Sequence, residues 1–374
     1  MSFPLRLCPG RFQVGCAAFR RGLVGFCLVL GLVAPAAEPI TLQLKWYHQF
    51  QFAGYYAAEA KGYYREAGLE VHLAEASAST NVVEEVLSGH AQYGVADSRL
   101  VIQRIQGKPV VVLAVIFQHS PSVMLVRRMG ATHGVQDLLG RKVMLAEDET
   151  DVIAFLRHAG VPLDRLVQVP HSYQIGDLIH GQVDAVSAYV TNELYDLDRT
   201  GFPYLSYTPR AAGIDFYGDN LFTSEQELKN HPERVKAFRT ASLRGWEYAM
   251  DHPEEIVDLI LAKYSKRKDR DQLLYEAHQM NDLLQPELVE IGYMHPDRWH
   301  HITEALADLG MMPRNAPVTG FFYVPEPPRD LTWVLRGALA ALIAVGVAFF
   351  FSIHRKKPFT PYQCCGQVLL FSSP

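Results

Sequence analysis

The sequence predicts an α/β fold plus one C-terminal transmembrane helix, and three observations carry that expectation. Over Leu42 to Leu69 the apolar spacing changes from a period of two to that of a helix, the mark of a strand feeding a helix. Val110 to Phe117 is an unbroken apolar run, as expected for a parallel strand buried on both faces. Leu331 to Ile353 is 23 residues of mainly apolar side chains, and His354-Arg355-Lys356-Lys357 follows at once.

The chain has 374 residues, 49% hydrophobic and 20% charged, which suits one or two globular domains with a sizeable core. Its net charge of −5 gives no sign of nucleic-acid binding. The one basic cluster of the body, Lys266-Arg267-Lys268 with Arg270, is flanked by Asp269 and Asp271 and reads as a solvated connector. Residues 1–36 read as an export signal: Arg20-Arg21 precede the apolar run Gly22 to Val33, and Ala34-Pro35-Ala36 gives a small-x-small cleavage pattern. The five cysteines fall in this leader (Cys8, Cys16, Cys27) or in the tail (Cys364, Cys365). The body between them needs neither disulfides nor a thiol nucleophile.

Within Leu42 to Leu69, Leu42 and Leu44 alternate with Gln43 and Lys45 as a short strand. Trp46, Tyr47, Phe50 and Phe52 follow, interleaved with His48, Gln49 and Gln51. From Gly54 the spacing of Tyr56, Ala60 and Tyr63 is helical, and Gly68 is the stop signal. Open α/β sheets bind ligands between a strand's C-terminal end and the next helix. Aromatics there offer stacking surface, and the helix start offers free N–H donors. Core filling is the other use of the same side chains. The stretch resembles the opening of periplasmic substrate-binding proteins of the thiamine-pyrimidine-precursor family, relatives of the alkanesulfonate and nitrate binders. That family's strand, Trp and "FAGYY.A...GYY...GL" are met by Trp46, Phe52 to Tyr56, Gly62 to Tyr64 and Gly68-Leu69. The resemblance runs to about residue 312 and implies that Phe52 and Tyr55 face a pocket.

Glu70 to Leu73 reads as a second strand. An amphipathic helix then carries Val82, Val83, Val86 and Leu87, capped by Ser79, Thr80 or Asn81. By resemblance this turn, with Ser79 and Thr80, lines the pocket. Tyr93 to Ala96 is a short strand, and Asp97 is either a cap or a pocket carboxylate. Pro121 to Arg127 is a strand leaving one lobe for another, and Leu138 to Leu145 resembles the family's entry into the second lobe. Glu147 and Asp148 stand nearest a strand end, where they serve either the helix dipole or a ligand.

Val183 to Tyr189 is a strand that delivers Tyr189, Asn192 and Glu193. The resemblance implies that Tyr189 stacks on the ligand opposite Trp46 and that Glu193 accepts its exocyclic N–H. Capping of the next helix is the plainer role for Asn192 and Glu193. Ile214 to Phe222 resembles the return crossing, with Tyr217, Asp219 and Asn220 near the hinge and pocket mouth. From Ser224 the spacing is helical, starting with a Ser224/Glu227 capping box; Trp246 and Trp299 are assigned to packing. The proline-rich 313–330 is a linker, and 331–353 spans a membrane with the basic tail 354–374 on the cytoplasmic side.

Phosphate-loop, His-Glu-x-x-His and Cys-x-x-Cys motifs are lacking, and no metal or other cofactor is expected from the sequence. The resemblance implies a two-lobed periplasmic-binding-protein type II architecture, lobe 1 being 38–126 with 221–312 and lobe 2 being 127–220. It implies a binder, not an enzyme: the family's fungal synthases carry a cysteine-rich motif that the body lacks. The expected ligand is a thiamine-related aminopyrimidine. The expected partners are the membrane and an ABC permease or a signalling partner. The alternative is the sensor portion of a truncated histidine kinase or diguanylate cyclase receptor.

Overall fold

The computed structural model describes residues 37–128, 130, 134–146, 149–325 and 332–354. The expected export signal, the tail beyond His354, and Glu147 with Asp148 lie outside the described residues. The chain forms two compact units, Met1–Tyr323 and Val324–Pro374.

In the first unit β1 (Glu38–Gln43) runs into the aromatic loop and then α1 (Ala53–Ala60), which Gly62, at φ +78°, separates from α2 (Tyr63–Glu66). β2 (Leu69–Ala74), α3 (Val82–Leu87), β3 (Tyr93–Ala96), α4 (Leu100–Ile105) and β4 (Val110–Val115) complete the outward path. β1 pairs in parallel with β2 and β3. β10 (Asn220–Ser224) returns antiparallel between β3 and β4, giving a five-stranded sheet in the order β2-β1-β3-β10-β4. All six residues of β4 are buried, as its unbroken apolar run requires.

The second sheet holds β5 (Ser122–Arg127), β6 (Lys142–Met144), β7 (Val167–Val169), β8 (Ala185–Tyr189) and β9 (Tyr204–Tyr207), in the order β7-β6-β8-β5-β9. Its helices are α5 (Thr150–His158), α6 (Gly176–Ile179) and α7 (Glu193–Thr200). Since β5 pairs with β8 and β9, the chain changes lobes before it, at 116–121, and not at 126. The two crossings bond to each other: Asp219 O accepts from Ile116 N at 2.8 Å, and Gly218 N donates to Phe117 O at 2.9 Å. A Cβ on Gly218 would lie 2.7 Å from that of Phe117, so only glycine permits this approach.

After β10 the chain wraps the first lobe in α8 (Glu225–Asn230), α9 (Pro232–Asp251), α10 (Pro253–Leu259), α11 (Arg270–Leu284) and α12 (Pro296–Asp308). Ser224 Oγ accepts from Glu227 N at 3.1 Å, the expected cap. Trp246 on α9 and Trp299 on α12 are fully buried, which fits their assignment to packing. The start of α12 is tied to both crossings, because Arg298 Nη2 donates to Gln118 O at 2.6 Å and pairs with Asp215 Oδ2 at 3.1 Å. Asp215 Oδ1 is also 2.7 Å from His119 Nδ1. Residues Phe321–Tyr323 then lie along β4: Val112 N donates to Phe321 O and Tyr323 N to Val112 O, both at 2.8 Å.

The second unit contains α13 (Thr332–His354). Leu339, Leu342, Ile343, Val345, Val347 and Phe350 are exposed on it. Among the described residues no helix is long and apolar enough to cross a membrane, so the span expected over 331–353 is not supported.

Candidate functional site

The residue that organises the site is Lys45, two residues past the C-terminal end of β1. Its Nζ lies 3.0 Å from the Tyr189 hydroxyl, 3.2 Å from Asp219 Oδ1 and 3.9 Å from Asp97 Oδ2. It joins the first lobe, the second lobe and the return crossing. Gln51 Nε2 donates to the other oxygen of Asp219 at 2.7 Å, and Gln49 Nε2 donates to Gln51 Oε1 at 2.6 Å. Burial alone would lower the Lys45 ammonium. Asp219, with Tyr189 and Asp97, more than offsets this and holds it well above the ordinary lysine value. Burial raises the Tyr189 phenol, so it stays protonated across the physiological range.

Beside this node lies a cleft between the lobes, about 270 Å³ including its solvent-facing part. Its walls are Asp97 and Ser98 from lobe 1, Ser120, Pro121, Phe216, Tyr217 and Gly218 from the crossings, and Ser122, Thr150, Asp151 and Tyr189 from lobe 2. Asp151 belongs to the first turn of α5. Its Oδ1 accepts from Val152 N at 3.0 Å and its Oδ2 accepts from Ser120 Oγ. Burial raises its carboxyl above the usual value despite these donors. The folded protein therefore holds this proton at a pH where the unfolded chain has lost it. The contribution to stability is full below the unfolded pKa and is lost as pH rises through the raised one. Asp151→Asn is expected to be no less stable than wild type near pH 7. It should lose the extra stability that wild type gains on acidification to about pH 4. Urea midpoints across that range check this; a difference between the two proteins that does not change with pH would contradict it.

The other predicted residues fall in different places. Trp46 is half-buried in the loop after β1, and its ring meets Tyr173 of the second lobe at a centroid distance of 4.8 Å, not Tyr189. Tyr189 contributes its hydroxyl to Lys45 and a wall to the cleft. Phe52 and Tyr55 are completely buried in the first-lobe core and neither lines the cleft, so the expectation that they face the pocket is corrected: α1 turns the Tyr55 ring inward onto α9, edge-on to Trp246. Asn81, not Ser79 or Thr80, caps α3, accepting from Glu84 N at 3.2 Å. Thr80 Oγ1 closes its own turn on Ser77 N at 3.1 Å, and Ser79 is exposed with its Oγ 3.0 Å from that of Ser77.

Asp97 is both a local cap and a wall: Oδ1 accepts from Arg99 N at 2.8 Å while Oδ2 faces Lys45. Tyr217 supplies backbone and a wall, but its hydroxyl accepts from His295 N at 3.1 Å. Asp219 is the buried anion of the node. Glu193 turns back on its own strand, its Oε2 accepting from Tyr189 N and its Oε1 from Asn192 Nδ2, both at 2.9 Å. The plainer alternative, capping of α7, is not met by Asn192, whose side chain makes no cap bond to the backbone of the helix start. Asn192 Oδ1 accepts from Lys268 Nζ, which also pairs with Glu276 on α11. Tyr275 on α11 donates to Val190 O at 3.2 Å, so α11 and its lead-in grip the second lobe. Glu147 lies outside the described residues.

Sequence reasoning missed Lys45, Gln51, Asp151 and Tyr173. Lys45 was visible as a charge at the end of a strand with an apolar face, and Asp151 as an acid in a helix first turn. Nothing local marked Tyr173.

Residues 49–256 match the family described as NMT1/THI5 like. The chain belongs to this family. The NMT1/THI5-like segment starts just after Lys45 and carries every other member of the node and cleft named above. Over 304 residues, 76% of this chain and 85% of the other, the sequence is 26% identical to "Riboflavin-binding protein RibY" of Chloroflexus aurantiacus. It is 22% identical to "Formylaminopyrimidine-binding protein" of Halalkalibacterium halodurans, over 60% of this chain and 71% of that one. In fold it is similar to the periplasmic aliphatic sulphonate binding protein SsuA from Escherichia coli, with a TM-score of 0.57 and 12% identity over 78% of this chain and 94% of that one. The NMT1/THI5-like chain thus has the periplasmic-binding-protein fold with mixed sheets.

Proposed function

We propose that the protein is an extracytoplasmic solute-binding protein. It closes on a small planar nitrogen heterocycle rich in N–H donors, of the aminopyrimidine kind, and delivers it to an ABC-type permease. The observation that carries this is the charge of the cleft. Asp97 and Asp151 are among its walls, Asp219 is in the node beside it, and the one lysine there is shared between Asp219 and Asp97. A helix start that faces a cleft is a ready anion site. Here the start of α5 is taken by Asp151's own carboxyl group, bonded to Val152 N. Such a site favours a ligand that donates hydrogen bonds over a sulfonate, which accepts them.

The enclosed part of the cleft, about 10 Å³, is far below the roughly 300–1,000 Å³ typical of ligand pockets, so a solute enters only as the lobes open. The names of the two curated relatives support a flat nitrogen heterocycle. The site reads as a binder: Lys45 is engaged by Asp219 and Asp97, and Asp151 by Ser120 and the start of α5.

Thermal denaturation of the purified protein with added solutes is the test. A hydroxymethyl- or formylamino-pyrimidine at about 100 times its Kd should stabilise by about 2.7 kcal/mol and raise Tm by several degrees. An alkanesulfonate should leave Tm unchanged. The reverse pattern would sink the proposal.

A further inference from the structure

Tyr173 has a left-handed backbone, φ +58°, a region that a bulky L-residue avoids because its Cβ crowds the following carbonyl. Two other non-glycine residues among those described share a positive φ: Gln285, which ends α11, and Asn315. Tyr173 has no such excuse in a helix end, and at 38% exposure its ring gains little from burial. The conformation is instead held by bonds. Tyr173 N donates to His171 Nδ1 at 3.0 Å, and His171 Nε2 donates to Ser187 O on β8 at 2.9 Å. Ser172 Oγ donates to Asp177 Oδ2 at 2.6 Å and accepts from Gln174 N at 3.1 Å. The imidazole also lies against the tyrosine ring, centroids 4.3 Å apart. This scaffold anchors the loop of residues 171–174 to Ser187, two residues before Tyr189 on β8. From there the Tyr173 ring meets Trp46, which adjoins Lys45 on the opposite lobe, at 4.8 Å and a tilt of 45°.

Strain maintained by a built scaffold where the two lobes touch, at Trp46 beside Lys45, is a pointer to a role there. We propose that Tyr173 is the second plate of an aromatic gate, opposite Trp46, and that it sets the preference for a flat ring. The proposal rests on the ligand class given under Proposed function. Trp46 and Tyr173 touch directly in this structure. A ring stacked on both faces would part them to about 7 Å, two contacts of about 3.5 Å, which a small opening of the lobes supplies. Tyr189, bonded through its hydroxyl to Lys45, then reads the ring's edge and not its face.

The test uses the full chain, with a hydroxymethyl-aminopyrimidine and riboflavin as probes and calorimetry as readout. Tyr173→Gly suits the left-handed backbone and removes the plate, so without ligand it should melt at or above the wild-type Tm. It should bind a probe about three- to tenfold more weakly, the scale of one lost aromatic pair. Tyr173→Phe should bind like wild type. Tyr173→Asn, which also tolerates this backbone, replaces the glycine variant if that one fails to fold. Equal binding by wild type and the ringless variants overturns the gate alone. A phenylalanine variant as weak as the glycine one also overturns it, in favour of a hydroxyl contact. Wild type that binds neither probe overturns the ligand class and the gate together.

Discussion

Gly54→Ala is expected to destabilise the first lobe by about 3 kcal/mol or more, a large share of the roughly 5–15 kcal/mol that holds a typical domain folded. The reason is the closeness of α1 to α9. An added Cβ at Gly54 would sit 2.1 Å from Trp246 Cγ, and Trp246 is completely buried and cannot swing away. From the other helix, a Cβ at Gly245 would sit 2.2 Å from the Gly54 carbonyl oxygen and 2.7 Å from Ala58 Cβ. Backbone against backbone leaves nothing flexible to yield, so Gly245→Ala should be at least as damaging. Gly176→Ala is the control: its Cβ meets only His180 at 3.7 Å, an ordinary contact, and it should change stability by less than about 1 kcal/mol. Urea midpoints for the three variants decide the matter. A Gly54→Ala protein that unfolds with the wild-type midpoint would show that the helices separate freely, against this account of the core.

Lys45→Met should cost about 3–5 kcal/mol, because it removes the cation and leaves a buried acid behind. The side chains of Lys45 and Asp219 are 13% and 3% exposed, so solvent does little to screen their attraction. Asp219 keeps its bond from Gln51, which places the loss at the lower end of that range. The pH dependence has a definite sign. The folded-state ammonium is raised, so the pair's contribution is fully present below the unfolded lysine pKa and is lost only as pH rises through the raised value. The gap between wild type and Lys45→Met should therefore stay constant from about pH 6 to 9. Lys45→Met with Asp219→Asn should recover part of the loss, since the uncompensated charge goes with it. No recovery would mean that Lys45 acts through packing of its stem alone.

Much of the architecture was legible because it follows from local periodicity. The apolar run of β4 and the capping box before α8 can each be read without knowing their neighbours. The site was less so, for a physical reason. Lys45 reads as an outward residue of an alternating strand, but it lies past the last residue of β1, where the alternation no longer decides its direction. Phe52 and Tyr55 read as pocket aromatics because a loop rich in rings invites that reading. The close α1–α9 approach permitted by Gly54 and Gly245 draws Tyr55 inward onto Trp246, and that approach is made by residues nearly two hundred positions apart. Tyr173 was out of reach entirely: its importance lies in a backbone angle and in bonds to His171 and Ser187, which composition does not record. Tyr189 was found because a strand end fixes where its residues emerge, but its partner depends on the other lobe.

The strap of Phe321–Tyr323 along β4 bears on how the ligand-binding unit would respond to a pull. The chain leaves this unit directly after Tyr323, and β4 continues into the first crossing at Ile116. Tension applied from the C-terminal side would load the two bonds at Val112 and the grip of Arg104 Nη2 on Thr319 O before it reached the crossing. Those bonds make the strap a mechanical fuse: traction would peel a few residues from the sheet edge while the clasp around the solute stayed shut.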